Sequence, residues 1–172
     1  MTITSKKFDT LIEPPIQLLL NLEDHNVYPC TCSMVVRKSV FKDIGYFEEP
    51  FRDALEDMVF HSKLFLKYPV YVSSRCWDRY RIHADSFWRS ASLAGKGRET
   101  FKNGRLNYLK WLKEYLNEQR INDPTVWKKL NRAFIPFKYP KLFHLLEVFN
   151  YLSFFSKISV RKYLKRLGLA NL

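Results

Sequence analysis

Little in this sequence suggests secretion or a membrane span, and cysteine is scarce. The N-terminal stretch MTITSKKFDTLIEPP has no apolar core of the kind a signal peptide needs. No apolar run reaches the roughly 18 residues of a transmembrane helix. The three cysteines, Cys30, Cys32 and Cys76, are odd in number and follow no disulfide framework, which suits a reducing compartment and predicts a cytoplasmic protein. Cys30-Thr31-Cys32 has no second Cys/His pair at ligand spacing, so strand packing is expected for these thiols rather than metal binding. Acidic residues are few in the second half. Residues 93–172 hold five Asp/Glu against seventeen Lys/Arg, which accounts for the whole net charge of +12; residues 1–92 hold twelve of each. Such asymmetry calls for an anionic partner. No nucleic-acid-binding motif is recognisable and the aromatics fall at helix-core spacing, so no nucleic acid is expected. An anionic membrane surface is the better match, with the protein peripheral at the inner face of the membrane.

The chain has 172 residues, about one domain's worth, and at 47% apolar and 16% aromatic it can bury a core. Pro14-Pro15 opens a short helix over 16–22. The run CTCSMVV (30–36) reads as a buried strand. Ser39 is placed to cap a short helix that stops at Gly45. Residues 52–55 read as extended, and a helix is predicted from Glu56 to Lys67. PVYVS (69–73) and CWDRYRIH (76–83) are β-branched and aromatic, hence two further strands. Residues 84–97 are small, polar and Gly-containing, and are predicted to form a mobile loop. Beyond them Phe101, Tyr108, Leu109, Leu112, Tyr115 and Leu116 share one helical stripe. Asp123-Pro124 is a helix start, and Pro136 and Pro140 break the chain again. Residues 141–155 are apolar almost all round, and 159–167 form a short basic helix. Two placements of the 141–155 run stay open: packed on the α/β body as core, or lying in a membrane interface. The expected class is α/β with a small sheet over residues 1–95, followed by an all-helical basic region over 96–172.

The stretch CSMVVRKSVFKDIGYFEEPFRDALEDMVFHSKL followed by WDRYRIH resembles the C-terminal, acceptor-side half of family 2 glycosyltransferases with the GT-A fold. The shared pattern is a small-residue strand, an Arg, a short helix, a Gly-Gly-Phe-Asp/Glu turn, Glu-Asp opening a helix, and a Tyr-Arg-x-His strand. Here the turn reads Gly45-Tyr46-Phe47-Glu48, with Tyr in place of the second Gly. The resemblance covers roughly residues 28–90. It implies an inverting transferase that uses a nucleotide-sugar donor and a glycan or lipid-linked acceptor. By that resemblance Asp57, preceded by Glu56, takes the proton from the acceptor hydroxyl, and His83 joins an Asp-x-Asp motif in binding Mn²⁺ or Mg²⁺.

Chemistry read from the residues runs alongside. A carboxylate at a helix N-terminus is expected to be held ionised by the backbone N–H groups and the dipole. Glu56 and Asp57 as simple helix-capping acids are the plain alternative. On a strand, Arg79, Arg81 and His83 share a face with Trp77, where guanidinium forks suit phosphate and an indole face suits a sugar or base. An edge strand decorated with charge is the plain alternative there. His25, His61 and His144 have no partner pattern and are expected to be structural or on the surface.

Asp-x-Asp occurs nowhere in the chain. The resemblance therefore implies a polypeptide that is inactive without a donor-binding N-terminal half, with the divalent metal only in the completed enzyme. The alternative function is a basic helical module over 96–172 that binds a membrane surface or a partner without catalysis.

Overall fold

The computed structural model describes residues 8–23, 29–51, 55–81, 83 and 86–141. Two strands and seven α-helices are found among them: β1 (Thr10–Ile12), α1 (Ile16–Glu23), α2 (Lys38–Ile44), α3 (Glu56–Lys67), β2 (Val70–Val72), α4 (Phe87–Leu93), α5 (Gly97–Glu118), α6 (Pro124–Ala133) and α7 (Ile135–Lys138). Short 3₁₀ turns stand at Thr31–Ser33 and Glu49–Phe51. The fold is mixed α/β and mostly helical, with a two-stranded antiparallel sheet. The chain divides into two compact units, Met1–Ala133 and Phe134–Leu172. In the second, α7 is the described helix, and the expectations for 142–155 and 159–167 lie outside the described residues.

In the first unit the core is a helix stack. Helix α1 packs on α3 and α6, α3 on α2 and α5, and α5 on α4 and α6. Residues Tyr108, Leu109, Leu112 and Leu116 of α5 are wholly buried, as the stripe predicts, since spacings of three and four residues return to one helix face. Leu18 of α1, Val59 and Phe65 of α3, and Val126 and Leu130 of α6 are fully buried as well. The Asp123 carboxylate accepts from the N–H groups of Thr125 and Val126 at 2.7 and 3.2 Å, so α6 starts where the Asp-Pro pair places it.

Strands β1 and β2 lie about sixty residues apart and pair as Thr10↔Val72, Leu11↔Tyr71 and Ile12↔Val70. Beyond their ends, the Asp9 carboxylate accepts from Ser74 N at 3.0 Å and Ser74 Oγ at 2.5 Å, closing the ladder. The turn after α2 is fixed on α3. Gly45 supplies the positive φ of 76° that ends α2. Tyr46, standing where the resemblance has a second Gly, stacks on Phe41 at 5.4 Å, and Phe47 stacks on Phe60 at 4.9 Å. Lys63, 3% exposed, donates to Tyr46 O at 2.6 Å and to Glu48 Oε1 at 2.8 Å.

Several sequence expectations are corrected. Residues 30–36 form no strand. Ser33 N bonds back to Cys30 O at 2.9 Å, so local turn bonds replace a ladder, and Thr31, Cys32, Ser33 and Val35 are exposed. The thiols are not buried packing: Cys30 is half-buried, and Cys32 and Cys76 are exposed. Helix α2 is capped at Arg37 with no side-chain bond, so Ser39 does not cap it. Leu55 is left-handed at φ 66° rather than extended, while 52–54 lie outside the described residues. Residues 76–81 and His83 form no strand. The expected loop 84–97 contains α4. Its Ser86 N-cap accepts from Arg89 N, and Gly95 at φ 70° ends it with the bond pair Lys96 N to Ala91 O and Gly95 N to Ser92 O, a Schellman closure.

His61 is a structural core residue, as expected. It is 1% exposed between the rings of Phe60 and Phe65, and burial lowers its pKa from 6.5 to about 4. The unfolded chain takes up the proton first as pH falls. Stability carried by neutral His61 is therefore intact above about pH 6.5 and is lost as pH falls toward about 4, by about 3 kcal/mol in all. Denaturant titrations of wild type and His61→Phe between pH 7 and 4.5 should diverge by about 2–3 kcal/mol. Parallel profiles would show that His61 titrates normally in the fold.

Candidate functional site

The site is built at the N-terminus of α3. Leu55 precedes the helix in a left-handed conformation that costs a bulky residue about 1 kcal/mol or more, yet it is 6% exposed and held by the core. This geometry turns the chain sharply into the first helical residues, Glu56 and Asp57. Both are half-buried. Asp57 Oδ1 accepts from Met58 N at 2.7 Å, and its carboxylate takes a further hydrogen bond from the Thr31 hydroxyl.

The 3₁₀ turn Thr31–Ser33 thus faces Asp57 through Thr31. Through its other end it reaches a second carboxylate. Asp78 Oδ2 accepts from Ser33 Oγ at 2.9 Å and from Cys32 Sγ at 3.5 Å, and Cys76 Sγ donates to the Asp78 carbonyl at 3.3 Å. One three-residue turn is therefore hydrogen-bonded to Asp57 and to Asp78. The environment is electronegative. Burial raises the Cys30 thiol pKa, assisted by Cys32 and then by the charges of Asp57 and Asp78.

The surroundings of Asp57 disfavour its ionised form, contrary to the helix-dipole expectation. Burial is the largest influence and raises its pKa. The Met58 N–H opposes this, Glu56 adds repulsion, and the net shift is upward. Such a carboxylate is a stronger proton acceptor than an ordinary surface aspartate.

The other residues singled out from sequence are not gathered here. Trp77 is 74% exposed, donates its indole N–H to Ser73 Oγ at 3.0 Å, and lies under the Arg75 guanidinium at 5.8 Å. Arg79, Arg81 and His83 are exposed. The shared face is absent because residues 76–81 form no strand; Trp77 and Cys76 bond locally instead, to Ser73 Oγ and the Asp78 carbonyl. Asp78 would face away from Trp77, Arg79 and Arg81 on a strand, and its partners Cys32 and Ser33 lie 46 and 45 residues away in the chain, so no local sequence signal marks it. Among the described residues no group of three or more His, Cys, Asp or Glu side chains is arranged to hold a metal ion. His83 thus has no companion ligands there, and no step below is routed through a metal. No helix among the described residues is long and apolar enough to cross a membrane. No family model, curated protein or solved structure matches this chain.

Proposed function

We propose that this chain is the acceptor-side half of an inverting sugar transferase, completed by a separate nucleotide-sugar-binding half. Asp57 is its base. As the acceptor oxygen attacks the anomeric carbon, its proton passes to the Asp57 carboxylate, the new C–O bond forms, and the bond to the nucleoside diphosphate breaks with its electron pair. The observation that carries this reading is the half-buried Asp57 at the start of a buttressed helix, with its pKa raised by burial. In this reading Asp78, across the 31–33 turn, accepts hydrogen bonds from other acceptor hydroxyls. Exposed Trp77 offers an aromatic face to a sugar ring, and Arg79 and Arg81 meet donor phosphates. In a completed enzyme His83 would be the residue of this chain to hold Mn²⁺ or Mg²⁺, with its companion ligands on the other half, and the metal would supply positive charge beside a diphosphate.

Two further features support the reading. Among the described residues the outer edges of β1 and β2 carry no strand, so a second half can extend the sheet. Lys102, Lys110, Lys113, Lys128 and Arg132 face solvent on α5 and α6 and suit an anionic surface presenting a lipid-linked acceptor.

Chemical-shift mapping of the ¹⁵N-labelled chain with a panel of neutral oligosaccharides tests this. At least one should perturb the amides of Thr31–Ser33, Asp57 and Asp78 at low millimolar concentration. The chain alone should turn over no UDP-, GDP- or dTDP-sugar. If no saccharide perturbs those amides, this is not an acceptor site.

A further inference from the structure

Two charged cations are buried in the described core, and the fold treats them differently. Lys63 is paired, with the Tyr46 carbonyl and the Glu48 carboxylate. Arg105 of α5 is 8% exposed, and its Nη1 is buried with no hydrogen-bond partner. Among the described residues no carboxylate pairs with it; its contact is with the face of Tyr108, 5.2 Å from the guanidinium carbon to the ring centroid. Arginine does not shed its proton inside proteins, so neutralisation is closed to it. A face-on aromatic ring compensates part of the lost hydration and leaves the N–H donors unused.

The support beneath the guanidinium is rigid. Tyr108 is wholly buried and its hydroxyl lies 2.8 Å from Ser62 Oγ. Ser62 Oγ donates to the Met58 carbonyl at 2.8 Å, so the proton in the pair with Tyr108 comes from Tyr108. That bond ties the ring to α3 and fixes the platform on which the guanidinium rests. A buried guanidinium N–H, that of Nη1, left without a partner above a fixed ring is a donor that an oxyanion oxygen can take up.

We propose that Arg105 is the receptor for an oxyanion group of a ligand, a phosphate or a carboxylate, bound beside Tyr108 at the α3–α5 contact. The inference is independent of the sugar-transfer reading. It needs only the buried guanidinium whose Nη1 has no hydrogen-bond partner.

Thermal melts of wild type and Arg105→Met in inorganic phosphate, in citrate, and in sodium chloride of equal ionic strength test it. Phosphate or citrate should raise the wild-type Tm by about 3 °C or more over chloride and leave Arg105→Met unmoved. A response to phosphate alone identifies a phosphate receptor, and one to citrate alone a carboxylate receptor. In chloride, Arg105→Met should melt at or above wild type, since it removes an uncompensated buried charge. Should that variant not fold, phenylglyoxal labelling of the wild type decides: the effective oxyanion should slow modification of Arg105 about fivefold or more. The proposal is overturned if the wild type does not respond, if both proteins shift alike, or if neither oxyanion protects Arg105.

Discussion

Asp57→Asn should lower kcat by about 10²-fold or more if the chain acts as the proposed transferase half, the usual scale for a positioned general base. The amide cannot accept the acceptor's proton, but it keeps the shape of the carboxylate and an oxygen to receive the Met58 N–H, now 2.7 Å from Oδ1. Donor affinity should change little, because the loss falls on the reacting atoms and not on ground-state binding. Stability gives a second readout of opposite sign. The folded pKa of Asp57 is raised by burial, so the fold favours the protonated form, and that contribution is lost as pH rises through the folded pKa. At neutral pH the ionised group therefore costs stability, and Asp57→Asn should melt no lower than wild type. Loss of activity with unchanged or increased Tm separates a functional residue from a helix-capping one, whose removal would lower Tm. If Asp57→Asn keeps a near-normal kcat while Glu56→Gln loses it, the roles of the two acids are reversed.

Leu112→Ala should destabilise the protein by about 3–4 kcal/mol, or about 10 °C in Tm. Leu112 is wholly buried on the α5 stripe, beside Tyr108, Leu109 and Leu116, and α5 is the helix against which α3 is set. The truncation removes buried methyl groups and leaves a cavity that neighbours on three helices cannot all close. Leu93→Ala provides the contrast. Leu93 is 67% exposed at the end of α4, and its truncation should stay within about 0.5 kcal/mol. Equal losses from the two substitutions would mean that α5 is not the spine of the core.

What was legible in the sequence was local. Helix α3 runs from Glu56 to Lys67 as the acid pair and the apolar period indicate, and α6 begins at Asp123-Pro124 because cap and proline act within one turn. The α5 stripe is periodic enough to define its buried face. Strands are different, because a strand exists only through a partner. Val70–Val72 finds one in Thr10–Ile12, sixty residues back, whereas 30–36 and 76–83 have equal β propensity and pair with nothing among the described residues. In their place Ser73 Oγ accepts short-range bonds from Arg75 N and Trp77 Nε1, Ser33 N bonds back to Cys30 O, and Ser33 Oγ ties the two segments together at Asp78. The same preference hid Asp78. A strand's alternation drew attention to Trp77, Arg79, Arg81 and His83, while the intervening residue is the one that touches the 31–33 turn. Residues 84–97 misled for another reason. Their small polar composition suggests a loop, but a Ser cap and a Gly stop at the right separation make a short helix of it.

The fold raises the proton affinity of Asp57 by burying it, against the opposing hydrogen bonds from Met58 N and the Thr31 hydroxyl. Carbon-detected NMR titration of the Asp57 side-chain carboxyl in the intact chain measures this directly. The midpoint should lie above that of an ordinary aspartate, about 3.9, and should fall toward it when urea unfolds the chain. A midpoint at or below the ordinary value in the folded protein would contradict the account, leaving Asp57 as a solvated acid at a helix start.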